Sequence, residues 1–181
     1  KNYSEASMAY ELAVTDITDP ANDQVVAIPS RLLTQSGGVT HGDLPFAVRG
    51  KTFYVNSSVS EQPTDGYTEV SMTAGTGAKP GPGIWWRELP HVTKMDERDM
   101  PSGIVELSTP QGPLGSYLVS GFLSHPQEFK HNGRTYQLAL RLERHYKPFN
   151  LHLVEFKHDR YAGTDIPKNF SSRVRLQRPD T

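Results

Sequence analysis

Seven histidines, at positions 41, 91, 125, 131, 145, 152 and 158, are the residues of this chain whose type suits metal or haem ligation. None stands in an HxH, HxxH or HExxH arrangement. The pairs His125/His131, His145/His152 and His152/His158 lie six or seven residues apart, which fits no regular ligand grammar. The 181 residues contain no Cys, so thiolate metal sites, disulfides and cysteine nucleophiles are excluded together. Nucleophilic catalysis needs a hydroxyl held against a base and an orienting acid. Ser171-Ser172 lie near His158 and Asp159 in sequence, but no G-x-S-x-G elbow exists, and nearness along a chain is not triad geometry. Asp96, Glu97 and Asp99 sit in a charged run without the aromatics of a sugar cleft. Gly75–Gly83, GTGAKPGPG, lacks the strand-then-helix setting and the Lys-Ser/Thr ending of a phosphate cradle. No catalytic residue and no metal site is therefore assigned.

The remaining candidates concern binding. Residues 1–129 carry 8 basic and 15 acidic side chains, and residues 130–181 carry 11 and 5, although the whole chain is near neutral at -1. In a strand, Arg173 and Arg175 share a face opposite Val174 and Leu176. With Lys168 they form a basic strip, to be weighed against simple pairing with Glu143 or Glu155. Aromatic residues interleave with these cations, but Tyr136 and Phe149 fall on the apolar side of predicted strands, which argues against nucleic-acid stacking. The adjacent Trp85 and Trp86 suit a core edge and a loop surface.

These residues need elements to hold them, and the composition points to short strands. Hydrophobic residues make up 35%, and 15 Gly and 14 Pro are spread along the chain. The clearest element is Arg134–Tyr146, where Tyr136, Leu138, Leu140 and Leu142 alternate with polar or small residues. His131-Asn132-Gly133-Arg134 places an Asn-Gly turn before it. Phe149, Leu151 and Leu153 resume the alternation after Lys147-Pro148, which predicts a second strand antiparallel to the first; with Leu114–Leu123 the three read as a meander. Shorter candidates are Tyr10–Val14, Gln24–Ile28, Phe46–Val48, Thr52–Val55, Thr68–Met72 and Ile104–Leu107. Ser30–Gln35 is the best helical candidate, and Glu88–Met100 reads as a solvated connection or short helix. Gly163 and Pro167 predict an ordered crossing loop over residues 161–170. The expected fold is an all-β, antiparallel β-sandwich or distorted β-barrel with few short helices, in one domain over residues 1–181. No apolar stretch approaches the roughly 20 residues that span a bilayer, and a chain beginning at Lys1 reads as an excised or mature segment.

One segment carries a family likeness. Phe156–Leu176, FKHDRYAGTDIPKNFSSRVRL, contains an aromatic-then-His-Asp start (Phe156, His158, Asp159), a Tyr161-x-Gly-Thr turn, the run Ile166-Pro167-Lys168-Asn169-Phe170, and Ser171-Ser172 before a strand with Val174 and Leu176. Gly133–Phe156 leads into it as a strand pair, and Pro45–Ser58 adds Tyr54, Asn56 and Ser57. In these features the chain resembles the ResB family, the extracytoplasmic part of the system II machinery that attaches haem to c-type cytochromes. The family's Asn-Pro-Leu segment and following aromatic-Gln strand are not reached at Pro179-Asp180-Thr181, and its transmembrane helices are missing, so the resemblance covers the soluble portion of a membrane-anchored parent.

The resemblance implies a non-enzymatic domain on the extracytoplasmic (periplasmic) face of the membrane. Its partners would be apocytochrome c and a haem-handling membrane subunit, held or positioned during haem attachment, with no nucleic acid. Lys168, Arg173 and Arg175, with Tyr161 and Phe170, are the expected partner-binding residues, engaging an extended peptide by strand addition. The alternative is a direct haem carrier that uses His145 or His158 as a transient axial contact. A hydrolase is the third reading.

Overall fold

The computed structural model describes residues 2–35, 37–94 and 96–178. The chain is nearly all β, 55% strand and 2% helix, in several antiparallel sheets that form no closed barrel among the described residues, a sandwich-like fold. It divides into two compact units: Ser7–Glu143, and a second built from the two ends of the chain, of which residues 2–6 and 144–178 are described.

The first unit is built in layers. One sheet has the order β2-β1-β10-β9, from β1 (Tyr3–Asp16), β2 (Gln24–Pro29), β9 (Gln127–His131) and β10 (Arg134–Tyr146). A second has the order β3-β7-β8, from β3 (Ala47–Tyr54), β7 (Ser102–Thr109) and β8 (Gly112–Ser120). Alternate residues of both turn inward: Leu12 and Val14 of β1, Leu138 of β10, Val105 and Leu107 of β7 and Val119 of β8 share one buried core. Phe46, Phe129 and Tyr136 meet there with ring centroids 5.1–5.3 Å apart. Leu33, from the single-turn helix α1 (Ser30–Leu33), is buried in the same core.

The other face of β7 and β8 is also covered. A small sheet in the order β4-β6-β5, from β4 (Ser57–Ser60), β5 (Thr68–Glu69) and β6 (Trp85–Glu88), belongs to a second cluster in which Trp86, Val70 and Ile84 pack with Ile104 and Leu118. Ile104 lies opposite Leu118 in the register and Val105 opposite Tyr117, so one pair feeds each core. Burial on both faces accounts for the nearly unbroken buried run of β7, which alternation alone does not predict.

Several strands lie where the sequence places them, and others differ for identifiable reasons. Arg134–Tyr146 is one strand, and Asn132 (φ 48°) and Gly133 (φ 76°) form the two-residue turn before it, with both central residues left-handed as a primed hairpin turn requires. That turn pairs β10 with β9. The candidates Phe46–Val48 and Thr52–Val55 merge into one strand, β3, which leaves out Phe46 and Val55 at its ends and has a register shift between Gly50 and Thr52. Thr68–Met72 shrinks to a two-residue strand, and the described residues between Glu88 and Met100 hold no helix.

The expected meander is overturned. β8 lies in the sheet with β7, and β10 is flanked by β1 and β9. The strand after Pro148 is β11 (Asn150–Arg160), which pairs not with β10 but with β12 (Pro167–Gln177). With partners on both sides of β10, its continuation finds its own antiparallel partner downstream. The crossing loop is shorter than residues 161–170, because β12 starts at Pro167, a strand-first position where a missing N–H costs little. Lys1, Ser36, Met95 and Pro179–Thr181 lie outside the described residues.

Candidate interaction surface

β11 and β12 form a two-stranded sheet by themselves. The turn between them is closed by Tyr161 N–H donating to Ile166 O (3.1 Å) and Thr164 N–H to Tyr161 O (3.0 Å), with Gly163 at φ 73°. Every residue of β12, and every residue of β11 except Glu155, is exposed.

The register sorts the side chains into two faces. Leu151 pairs with Leu176, Leu153 with Val174, Phe156 with Ser172 and His158 with Phe170. A shift between Leu153 and Glu155 sets Val154 outside the pairing. One extra residue there returns Phe156 and His158 to the side of Leu151 and Leu153; unbroken alternation would send them to the opposite side. Ring contacts agree: His158 stacks on Phe170 at 4.5 Å and 15°, and Phe156 lies 6.2 Å from Phe170. The result is one face without a charged residue in its four rows. Its six large apolar side chains are each between 45% and 58% exposed.

The opposite face is charged. Glu155 is opposite Arg173, with Arg173 Nη2 at 3.4 Å and Lys157 Nζ at 3.5 Å from its carboxylate; Arg175 is opposite His152, and Asp159 opposite Asn169. At the turn, Arg160 pairs with Asp165. Exposed ion pairs of this kind contribute little stability, about 0–1 kcal/mol, so this face is organised by solvation and pairing rather than held tightly.

The predicted site residues are thus separated into four places. Arg173 and Arg175 share the polar face, where Glu155 draws Arg173. Phe170 is on the apolar face beside His158. Lys168 falls in the second register shift, without a cross-strand partner, and its amine sits 5.9 Å from the Tyr161 ring centroid at the turn end. His145 is an exposed residue near the end of β10, in another sheet from His158. The Ser-His-Asp grouping does not assemble: His158 and Ser172 share the apolar face, whereas Asp159 and Ser171 share the polar one. Among the described residues no three His, Asp or Glu side chains gather as a metal site, and no helix is long and apolar enough to cross a membrane.

The Ser7–Glu143 unit contains polar features that the sequence did not announce. Ser57, Ser102 and Ser120 form a buried hydroxyl chain with successive 2.7 Å contacts, joining β4, β7 and β8. Gln127, 1% exposed, accepts from Thr76 N–H (2.8 Å) and donates to Leu118 O (3.0 Å), which fastens the Gly-Pro loop to β8. Glu11 and Arg141 pair at 2.9 Å across β1 and β10. A mostly apolar cleft of about 400 Å³ lies beside Met8, Tyr10, Phe53 and Val55. Burial raises the Tyr10 phenol above its ordinary value, and its hydroxyl donates to Asp99 O at 3.2 Å. None of these places a base beside a reactive hydroxyl. The one signal available beforehand was a polar residue inside an apolar run, as Glu11 is in Ala9-Tyr10-Glu11-Leu12-Ala13-Val14.

Compared with known proteins, the chain matches no family model and no curated protein.

Proposed function

We propose that this chain is a non-enzymatic extracytoplasmic domain of a ResB-like cytochrome c biogenesis protein. In this reading it stands on the periplasmic face of the membrane, carried by a membrane-anchored parent, and holds apocytochrome c beside a haem-handling membrane subunit while haem is attached. The observation that carries the reading is the β11–β12 ribbon. It is built from the residues on which the resemblance rests, and among the described residues each strand pairs on one side only. An unpaired edge presents a row of N–H and C=O groups that an extended peptide completes, with alternate side chains supplying selectivity. Arg173 and Arg175 flank that edge on the polar face, and Tyr161 and Lys168 mark its turn end.

The test is a titration of the chain with a fluorescent apocytochrome c peptide spanning a haem-attachment site, alongside the same peptide N-methylated at alternate amides. The expected result is micromolar binding that N-methylation abolishes, because the methylated backbone keeps its side chains but cannot join a ladder. Equal binding of both peptides, or of neither, overturns strand addition. Loss of affinity on combined Arg173→Glu and Arg175→Glu substitution assigns the polar face a share; an unchanged affinity removes it.

A second reading, a haem carrier, is favoured by one observation: His158 lies in the apolar rows rather than on the polar face. A neutral imidazole amid apolar side chains suits axial ligation of a flat hydrophobic macrocycle. His145 lies in another sheet and adds nothing to that face. Titrated haem would show a Soret shift lost in His158→Ala and kept in His145→Ala; no shift excludes the carrier.

A further inference from the structure

The apolar face of the ribbon demands a cover that strand addition at its edges does not supply. A two-stranded sheet is marginal in water by itself, and stable sheets of this kind pack an apolar face against something. Leu151, Leu153, Phe156, Phe170, Val174 and Leu176 together expose roughly 600 Å² of surface, at the upper end of the largest patch a typical monomer leaves contiguous.

We infer that a second copy of this chain covers the face, the two ribbons packing face to face as a four-stranded sandwich. Three observations favour this occupant. The four rows contain no charged side chain, so two copies can meet without burying an ion or opposing like charges. Joining two such faces buries at most about 1,200 Å² in total, at the lower edge of what specific interfaces need, which suits a dimer no tighter than micromolar. The rows also carry their own complement: Phe156 sits beside the small Ser172, and a two-fold axis along the strands lays each Phe156 into the space over the other copy's Ser172. A lipid surface fits less well, because Lys157, Arg173 and Arg175 occupy the opposite face and would point away from headgroups met by the apolar one. Face-to-face packing leaves both outer edges open, so this inference is independent of the haem-attachment reading.

Sedimentation velocity of the 181-residue chain between about 1 and 100 µM provides the test. The expected result is a concentration-dependent rise from monomer to dimer mass. Leu153→Glu, which puts a charge into the middle rows, holds the chain monomeric throughout. Arg175→Glu, on the other face, leaves the dimer as it was. Val174→Thr keeps the β-branched shape that suits a strand and should weaken association roughly tenfold, a readout that does not depend on the ribbon tolerating Glu. A wild-type chain that stays monomeric at 100 µM overturns the inference, whether or not it then binds anionic vesicles or peptide. So does a dimer that survives Leu153→Glu, since its interface then lies elsewhere.

Discussion

β10 and β11 carry similar patterns and meet opposite fates. Leu138 in β10 is 1% exposed and Leu153 in β11 is 56% exposed, though each belongs to an alternating series of large apolar residues. The inward side of β10 looks onto a core shared by two sheets, whereas the apolar side of β11 is matched only by β12 across the ribbon. Alternation therefore defines which side of a strand is apolar, and the number of layers decides whether that side is covered. In the Ser7–Glu143 unit the layers are present and the apolar faces stabilise the fold. In the ribbon the same pattern leaves an apolar face in contact with solvent.

The sharpest way to break this comparison is to remove equal amounts of side chain from each region. Leu107, fully buried in the main core, should cost about 3 kcal/mol on replacement by Ala, through lost transfer energy and the cavity left behind. Leu176→Ala should cost under about 0.5 kcal/mol in the monomer, since half of that side chain is already in water. Urea unfolding at concentrations below association measures both. Equal losses would mean that the ribbon face is covered within a single chain, and the contrast between the two regions would fail.

A second, smaller effect concerns how the sandwich-like unit holds its irregular segments. Gly75 has φ +85°, and a Cβ there would lie 2.5 Å from Gln127 Oε1 and 2.9 Å from Tyr117 Cδ1. Gly75→Ala therefore strains the backbone and displaces the side chain that fastens the loop. Gln127→Ala leaves Thr76 N–H and Leu118 O without their partner. Each should cost about 2 kcal/mol and speed proteolysis within Gly75–Gly83, read by limited digestion and mass spectrometry. Cleavage inside residues 161–166 should not change, because the ribbon turn is closed by its own backbone bonds.

How much of this was legible beforehand follows from the same physics. The limits of β10, the Asn132-Gly133 turn and the left-handed Gly163 are local consequences of residue type, and the sequence shows them directly. The opposite directions of Arg173 and Val174 are likewise local, since pleating fixes them. Strand partners are not local. Nothing in the alternation of Leu151 and Leu153 states whether β10 or β12 lies beside them, and sequence proximity favours the wrong neighbour. β9 escaped notice because its buried positions include Gln127, a polar residue satisfied by two distant bonds. The separation of Lys168 from Arg173 and Arg175 is legible too, since a spacing of five and seven residues puts them on opposite sides of a strand; the irregularity at Val154 is not, because one extra residue leaves no mark in composition or period.

The smallest effect tests the two regions by pH. The Asp99 carboxylate accepts from Val92 N–H at 2.8 Å and contacts His91 Nδ1 at 2.8 Å, which holds the connection before β7 in place. The backbone N–H of Val92, and then His91, keep its pKa below the ordinary carboxylate value, against the opposing influence of burial. A group whose folded pKa is depressed contributes stability that is fully present above the unfolded value, near 3.9, and is lost as pH falls through the folded one. The urea midpoint of the Ser7–Glu143 transition should therefore decline from about pH 4 downward. Asp99→Asn should lower the midpoint at neutral pH, by about 1 kcal/mol in stability, and flatten the acid decline. Association through the ribbon has no carboxylate in its four rows, so Asp99→Asn should leave the sedimentation behaviour at neutral pH as it was. If the variant changes both, the acid-sensitive connection and the exposed ribbon are coupled, and the two regions cannot be treated as separate in energy.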